Sequence, residues 1–196
     1  MTKNRFDGTY WHNKYKNNTT GWDIGQISIP LKKYFDQLKD KSISILIPGG
    51  GNGHEAEYLH NLGYKNVYLL DIVAQPLKNF HSRVHEFPLE HLMQIDFFKL
   101  SGQYDLIIEQ TFFCALDPIL RKKYVEKVSE LLNNNGKLVG LLFDFPLTED
   151  GPPFGGSIEE YTYTFSKKFK IKILERSYNS IPERNGKELF IKFEKK

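Results

Sequence analysis

Glycines and carboxylates recur in this chain directly after apolar runs that are typical of strands. Gly49, Gly51 and Gly53 follow the run SILIP, Asp71 ends VYLLD, and Asp96 ends LMQID. Glycines admit a ligand close to the backbone where any Cβ would collide, and N–H groups at the start of a helix can hold a carboxylate. Asp71 offers two acceptor oxygens, as the vicinal hydroxyls of a ribose require, and Asp96 could accept from an adenine amino group. Together these residues predict a nucleoside site.

Further side chains extend the same crevice. Phe97 follows Asp96, and Gln110 and Thr111 come at the end of the run YDLIIEQ and directly after it. In an open sheet, ligands bind outside the carboxyl ends of the strands, so these side chains are expected beside Asp71. Each feature alone has a simpler interpretation, because a glycine-rich turn can be only a tight connection, Asp71 a helix cap and Asp96 a turn acid. Their joint placement at successive strand ends favours a binding site.

The glycine spacing narrows the choice of cofactor. A dinucleotide fingerprint GxGxxG that begins at Gly49 needs glycine at position 54, where the chain has His54. A GxGxG turn without a pyrophosphate clamp favours S-adenosyl-L-methionine (SAM) over a nicotinamide dinucleotide. The sulfur of SAM is cationic, and each aromatic face near it contributes about 0.5 to 2 kcal/mol. Three residues near the amino terminus are candidates for these faces: Trp11, Tyr15 and Trp22.

The loop that carries Trp22 has neither helix nor strand periodicity. Its sequence, TTGWDIG at 19–25, places the indole between glycines. A large aromatic residue in a loop usually contacts a ligand or covers an edge of the core. We expect this loop to fold over the cofactor as a lid, with Trp22 as one wall. Packing of Trp22 as a cover of the core is the alternative.

Hydrophobic periodicity predicts the elements that position these residues. The predicted helices span residues 30–39, 54–62, 75–85 and 118–132, and a further helix of about ten residues begins at Ser157 with a capping box. The predicted strands span residues 44–48, 67–71, 92–96, 104–110, 137–143, 169–175 and 187–194. Asn135 and Gly136 are expected to end the helix at 118–132. Asn185 and Gly186 suit a tight reversal between the last two strands.

Alternating strands and helices predict a Rossmann-like α/β fold, in which helices cover both faces of a mostly parallel seven-stranded sheet. The closing hairpin is expected to add one antiparallel strand at the edge. Only seven residues, 97–103, separate the third strand from the fourth, which is too few for a crossover helix. A sheet order 3-2-1-4-5 is within their reach and creates a topological switch point between the first and fourth strands.

The composition is that of one globular domain. The 196 residues are 40% hydrophobic and 26% charged. No apolar run approaches the roughly 20 residues that cross a bilayer, and the start lacks the apolar core of a secretory signal. The chain is therefore expected to begin near Met1. A single cysteine, Cys114, cannot form an internal disulfide, which favours the cytoplasm.

The charge pattern bears on the partners. The net charge of +3 is small, and no nucleic-acid motif accompanies the lysine-rich stretches at 167–172 and 192–196. We expect a monomer with a small-molecule acceptor, and neither a membrane nor a nucleic acid as a partner. Residues 1–196 should form one domain, in which residues 1–40 supply the lid segment and a helix.

Several motifs together resemble the thiopurine S-methyltransferase superfamily, and most closely its halide and thiol methyltransferase branch. They run through nearly the whole chain: W-x3-Y-x6-WDIG, LIPGGGNGHE, LLDI, DFF, YDLIIEQTFFCALDP, GPPF and SIPERNGKE. The resemblance implies a class I methyltransferase fold. It also implies cofactor contacts at Trp11, Tyr15, Trp22, Gly49, Asp71, Asp96, Phe97 and Gln110.

The chain departs from the plant members of that branch at three positions. Tyr15 replaces an expected tryptophan, Gln110 replaces an aromatic residue, and Phe154 replaces a tyrosine. The hydroxyl missing at Phe154 is a polar group that could lie beside a small anion. The resemblance therefore favours cofactor binding over halide specificity.

Methyl transfer from a sulfonium is an in-line displacement, and a thiolate or halide arrives already anionic. Alignment and desolvation can then supply much of the acceleration without a general base. The sequence offers no persuasive nucleophile triad, metal-ligand set or paired carboxylates. The acceptor pocket is expected at Trp11, Thr111, Cys114 and Phe154, with Cys114 as a small buried side chain rather than a covalent nucleophile.

The leading prediction is a SAM-dependent methyltransferase that acts on a small soft nucleophile: a thiol, a thiopurine, bisulfide or a halide. An O- or N-methyltransferase is the alternative among enzymes, and it needs a base near the pocket, with His12 as the first candidate. A SAM-binding module without catalysis is the alternative from another class. A nicotinamide-dependent dehydrogenase is a weaker third.

Overall fold

The computed structural model describes residues 5–149 and 151–196; the predicted start near Met1 and the first residues of the lid segment lie outside them. The α-helices in these ranges are α1 (Gly8–Lys16), α2 (Ile29–Phe35), α3 (His54–Asn61), α4 (Ala74–Arg83), α5 (Arg121–Leu131) and α6 (Ile158–Phe165). The strands are β1 (Ile45–Pro48), β2 (Val67–Asp71), β3 (Leu92–Gln94), β4 (Tyr104–Gln110), β5 (Leu132–Phe143), β6 (Phe169–Arg176) and β7 (Glu188–Lys195).

The strands form one seven-stranded sheet in the order β3-β2-β1-β4-β5-β7-β6. The first five are parallel, and β7 runs antiparallel to both β5 and β6. The predicted order 3-2-1-4-5 is confirmed, and so is the mostly parallel sheet with an antiparallel hairpin. The link from β3 to β4 contains only a short 3-10 helix, Phe97–Lys99.

The prediction that the antiparallel strand lies at the edge is wrong, because β7 is inserted between β5 and β6. The side chains of Leu189, Ile191 and Phe193 in β7 are completely buried. The strand β6 instead carries exposed lysines at Lys170 and Lys172, a composition that suits the solvated edge of a sheet. The inner strand of the hairpin is thus the more deeply buried one, although both strands have four apolar residues out of eight.

The prediction that Asn135 and Gly136 end the helix at 118–132 is wrong, although the predicted end at Leu132 is within one residue of the observed one. The helix α5 ends at Leu131, and Leu132 turns to extended backbone and pairs with Tyr104. The register then shifts so that Lys137 pairs with Leu106, which leaves Asn135, with a φ of 61°, inside an irregular part of β5. Leu132 is completely buried, so its packing against the sheet stops the helix earlier than the Asn-Gly pair does.

Asn185 and Gly186, which precede β7, do not form a two-residue hairpin turn. Asn185 has φ −58° and ψ 132°, Gly186 has φ 74°, and the N–H of Lys187 donates to the oxygen of Arg184 at 3.0 Å. These angles are those of a type II turn, which needs a positive φ at its third residue. The turn follows the 3-10 helix Pro182–Arg184, and together they position Arg184.

The sheet is covered on both faces, and each face has its own apolar cluster. Leu46 and Ile107 point into the cluster that α5 and α6 complete, whereas Ile45 and Ile47 point into the one that α2, α3 and α4 complete. The strand ends therefore remain the open part of the molecule. None of the helices in residues 5–149 and 151–196 has both the length and the apolar character that a membrane span requires.

Candidate active site

A cavity of about 650 Å³ lies between α1 and the carboxyl ends of β1, β2 and β4. Its size is within the range of roughly 300 to 1,000 Å³ that small-molecule sites occupy. Nine of the predicted site residues line it: Trp11, Tyr15, Trp22, Gly49, Asp71, Asp96, Phe97, Thr111 and Cys114. The cavity is thus at the predicted switch point between the first and fourth strands.

Asp71 is buried at the end of β2 and is fixed by two backbone groups. Its Oδ1 accepts from the N–H of Val73 at 2.8 Å, and its Oδ2 accepts from the N–H of Gly51 at 3.1 Å. Burial raises the pKa of Asp71 to about 6, although these hydrogen bonds oppose the rise. A carboxylate has about four acceptor sites, so both oxygens can still accept from a ligand.

The glycine turn has no room for a side chain at Gly49 and little at Gly51. A Cβ on Gly49 would lie 2.2 Å from the ring of Phe112, and a Cβ on Gly51 would lie 3.0 Å from Oη of Tyr15. Both glycines have positive φ values, 58° and 55°. The turn can therefore present bare backbone to a ligand, as its sequence predicts.

The wall opposite the sheet consists of aromatic rings from α1 and the following loop. Asp7 caps α1 by accepting from the N–H groups of Thr9 and Tyr10, both at 3.0 Å. Trp22 meets the rings of Trp11 and Tyr15 edge to face, at centroid distances of 5.3 and 5.7 Å. Trp22 is thus one side of the cavity and not only a cover of the core.

Asp96 and Phe97, which follow β3, also border the cavity. Oδ1 of Asp96 accepts from the N–H of Phe98 at 2.9 Å and caps the short helix there. Phe97 is buried and belongs to the core cluster beneath the cavity floor. Asp71 and Asp96 therefore border the same cavity rather than opposite sides of the sheet.

Two of the predicted residues line a second, smaller cavity instead. This space of about 40 Å³ is bordered by Gly51 and Gln110, while Trp22, Gly49 and Thr111 border both cavities. Oε1 of Gln110 is buried there and has no hydrogen-bond partner among the described residues. An unpaired buried acceptor is costly, so it marks a position for a donor from outside the chain.

Phe154 does not line the main cavity. Its side chain is fully buried behind the wall, with its ring 5.5 Å from that of Phe6, and its N–H donates to the oxygen of Cys114 at 2.8 Å. Pro152 and Pro153 border the cavity in its place. The apolar phenyl ring is drawn into the core where a tyrosine hydroxyl would have demanded a polar partner.

Cys114 borders the cavity but is buried. Burial raises the pKa of its thiol, and the neighbouring carboxylate of Glu109 acts in the same direction. The thiolate is the nucleophilic form of cysteine, so this environment suits an inert wall residue.

Arg184 also borders the cavity near Cys114, although it is not among the residues predicted for the site. Its Nη2 donates to the oxygen of Trp22 at 2.7 Å, and its Nη1 lies 3.4 Å from Oε1 of Glu188. Its guanidinium also lies over the ring of Phe143. The motif SIPERNGKE contains this arginine, but only the type II turn reveals that it faces the cavity.

Glu109 supports the loop after β4 from below. Its Oε1 accepts from the N–H groups of Phe112 and Phe113, both at 2.8 Å, and its Oε2 accepts from the hydroxyl of Tyr124. Burial raises the pKa of Glu109 to about 7. Thr111, in the same loop, has a φ of 56°, an uncommon value for a β-branched residue.

Nearly the whole sequence matches one known protein family. Residues 6–195 match the sequence model of thiopurine S-methyltransferase. This chain belongs to the thiopurine S-methyltransferase family. The family and its fold confirm the predicted enzyme class and cofactor: the protein is a SAM-dependent methyltransferase.

Individual members of the family are related at moderate identity. The chain is 28% identical over 167 residues to probable thiol methyltransferase 2 of Arabidopsis thaliana. The aligned region covers 82% of this chain and 72% of the relative. It is 26% identical to thiocyanate methyltransferase 1 of Brassica oleracea, with 91% and 81% covered. It is 24% identical to thiopurine S-methyltransferase of Vibrio vulnificus, with 82% covered in both.

Solved structures share the fold of this methyltransferase at lower identity. The 1,6-didemethyltoxoflavin-N1-methyltransferase of Burkholderia thailandensis has a TM-score of 0.78 and 16% identity, with 95% of this chain and 86% of that one covered. A TehB-like SAM-dependent methyltransferase of Corynebacterium glutamicum has a TM-score of 0.66 and 16% identity, with 96% and 98% covered. These likenesses confirm the class I methyltransferase fold.

Proposed function

We propose that this enzyme methylates a small soft nucleophile of the thiol type in the cavity between α1 and the strand ends. Thiols, thiopurines, bisulfide and halides belong to this class, and the named relatives that act on thiols, thiocyanate and thiopurines support it. The observation that carries the proposal is the buried guanidinium of Arg184, which borders the cavity near Cys114, pairs with Glu188 on one side and lies over the ring of Phe143. A cation there favours an acceptor that arrives as an anion.

The residues present also fit SAM in this cavity. Asp71 would accept from the ribose hydroxyls and Asp96 from the adenine amino group, with Phe97 as an apolar neighbour. The unpartnered Oε1 of Gln110 would accept from the ammonium group. Trp11, Tyr15 and Trp22 would surround the sulfonium, and Gly49 and Gly51 would leave space for the amino-acid part.

When bound, SAM supplies an electrophilic methyl carbon on a sulfonium. The chain's own residues hold the acceptor in line with that carbon, at a pocket that we assign to Trp11, Thr111, Cys114 and Arg184, with Phe154 packed behind it. The apolar walls exclude water and so weaken the hydration of an anionic nucleophile. Arg184 lowers the pKa of a bound thiol by charge attraction, so no residue has to remove a proton during transfer.

The competing O- or N-methyltransferase function requires a base beside the acceptor. His12, its first candidate, is not among the residues that border the cavity. His12 therefore does not support an acceptor that has to lose a proton in the cavity.

An acceptor screen tests the proposal. The purified protein is incubated with methyl-labelled SAM and, separately, an aromatic thiol, bisulfide, iodide, a thiopurine, a phenol and an amine. We expect label on at least one sulfur or halide acceptor. Label on the phenol or the amine alone would remove the proposed acceptor class, and binding of S-adenosylhomocysteine (SAH) without any transfer would favour a binding module.

The same proposal treats residues 1–196 as one domain, with residues 1–40 as its lid segment and first helices, that acts as a monomer in the cytoplasm. The single sheet with apolar clusters on both faces supports one domain, and the lone buried Cys114 is compatible with a reducing compartment. Light scattering after size-exclusion chromatography should give the chain mass of 22.9 kDa. A dimer mass would contradict the monomer.

A further inference from the structure

Asp23 and His54 lie in two motifs, TTGWDIG and GGGNGHE, and the proposed function gives neither of them a role. They are 31 positions apart in sequence, yet Nε2 of His54 and Oδ1 of Asp23 are only 2.8 Å apart. Both side chains are mostly buried, with 19% and 18% of their surfaces exposed. The contact joins the lid loop to the first residue of α3, directly after the glycine turn.

Asp23 has further partners on the same two segments. Its Oδ2 accepts from the side-chain amide of Asn52 in the glycine turn, and its Oδ1 also accepts from the N–H of Gly25 at 2.8 Å. These bonds, with the one to His54 as the largest cause, hold the pKa of Asp23 well below its usual range. The carboxylate is therefore ionised at neutral pH, and its hydrogen bonds are of the stronger, charge-assisted kind.

The neighbouring residue, Trp22, lies close to the glycine turn and borders both cavities. Its indole Nε1 lies 3.9 Å from the place of a Cβ on Gly51, and its oxygen accepts from Arg184 on the other side. Its ring meets those of Trp11 and Tyr15 edge to face, and its side chain is also a hydrogen-bonding neighbour of the Tyr15 hydroxyl. Polar contacts at Asp23 and Arg184 thus hold the wall against the glycine turn.

We propose that Asp23 and His54 are a positioning pair, which fixes Trp22 over the glycine turn and thereby sets the affinity for SAM. The inference rests on the proposed placement of SAM in this cavity. The pair acts through Trp22 and does not border the reacting atoms. It also gives a reason for histidine at position 54, because an imidazole reaches the lid loop, whereas the glycine of a dinucleotide fingerprint could not.

Binding measurements on single and double variants test the pair. SAH affinity is measured by calorimetry for the wild type, Asp23→Ala, His54→Ala and the double variant. We expect Kd to rise about tenfold in each single variant, as loss of a charge-assisted hydrogen bond predicts. The double variant should match Asp23→Ala, because both substitutions break the same contact.

Fluorescence gives a readout that a purely structural role would not change. The chain has two tryptophans, Trp11 and Trp22, and both border the cavity. Asp23→Ala should shift the emission of the free protein to longer wavelength as the indole of Trp22 becomes more hydrated. His54→Gln retains an N–H donor of similar reach. Unlike His54→Ala, it should keep the wild-type emission and most of the affinity for SAH.

Asp36→Ala is the matched control, because this carboxylate also joins a preceding segment to α3, through Tyr58, but on the outer surface. It should leave the Kd for SAH unchanged, and thermal melts should show that every variant folds. Additive losses in the double variant, or an equal loss in Asp36→Ala, would overturn the positioning pair. If the wild type methylates a thiol but Asp23→Ala has the wild-type Kd for SAH, the positioning role is refuted and the proposed function still holds. A wild type that binds no SAH removes the assigned cavity as well.

Discussion

The carboxylate of Asp71 is placed where its protonation state affects cofactor binding. Burial raises its pKa to about 6 from an ordinary value of 3.8, so the ionised form, which is the stronger acceptor, disappears as the pH falls through about 6. We expect the affinity for SAH to weaken progressively between pH 7 and pH 5. Calorimetry across this range measures the effect.

Asp71→Asn provides the control for that prediction. An amide does not titrate, so its lower affinity for SAH should be nearly constant over the same pH range. A variant that keeps the wild-type pH dependence would assign the titration to another group. Affinity in the wild type that is flat down to pH 5 would contradict the role of the carboxylate in holding the ribose.

Arg184 is the residue whose replacement should separate acceptor recognition from cofactor recognition. Arg184→Gln removes the positive charge but keeps an amide donor for the oxygen of Trp22. With an aromatic thiol as acceptor, we expect kcat/KM to fall about tenfold or more, because a charged hydrogen bond contributes about 1.5 to 3 kcal/mol. The pH profile for the thiol should move to higher pH, since the thiolate loses its stabilising neighbour.

Arg184→Lys is the matched comparison for this residue, because it keeps the charge. It should keep the pH profile near that of the wild type even if kcat/KM falls. A profile that does not move in Arg184→Gln would mean that the guanidinium only holds Trp22. In that case the loss should appear in the Kd for SAH instead.

At the scale of elements, Glu109 connects β4 and α5 to the loop that borders the acceptor pocket. Its pKa is raised from 4.5 to about 7, so its protonated form is favoured in the folded state. The resulting stability is fully present below about pH 4.5 and is lost as the pH rises through about 7. The free energy of unfolding of the wild type, relative to that of Glu109→Gln, should therefore fall between pH 5 and pH 8.

Urea denaturation of both proteins at several pH values measures this difference. Glu130→Gln is a suitable control, because Glu130 is an exposed glutamate on α5. It should show no comparable trend relative to the wild type. A constant difference between wild type and Glu109→Gln would indicate that hydrogen bonds from the loop keep Glu109 ionised throughout.

The elements differ in how far the sequence could predict them. The strands β2 and β4 coincide with the predicted runs VYLLD and YDLIIEQ, because buried parallel strands are nearly continuous apolar runs with sharp ends. The order of β6 and β7 could not be predicted, since both are hairpin strands and only the burial of each face decides which is central. The end of α5 depended on the long-range pairing of Leu132 with Tyr104.

The residues of the cavity also differ in how far the sequence could predict their positions. Gly49, Asp71 and Asp96 could be placed beside it from sequence, because each follows a strand and parallel strands end at one edge. Arg184 and Phe154 could not, because they lie in irregular segments whose direction is set by a turn and by packing against Phe6. Gln110 ends its strand as predicted, yet its side chain borders the smaller of the two cavities.

At the scale of the whole molecule, the lid segment should open locally at a lower free energy than the sheet when no ligand is bound. Trp11 and Trp22 reach across the cavity, while the two apolar clusters lie on the sheet faces. SAH at 100 times its Kd should add about 2.7 kcal/mol of stability. For a chain of this length, that corresponds to a rise in Tm of about 5 to 10 °C.

Hydrogen exchange shows where that stability appears. Amides of residues 8–25 should exchange faster than those of the strands in the free protein and should slow the most with SAH, because ligand contacts then add to the polar contacts that already hold the Trp22 loop. Amides of β1 and β4, which lie within the sheet, should slow only by the global amount. NADH at the same concentration is the control and should change neither Tm nor exchange. Equal protection of the strands and of residues 8–25 would mean that the lid is already part of the cooperative fold, so that the affinity for SAM does not depend on closing it.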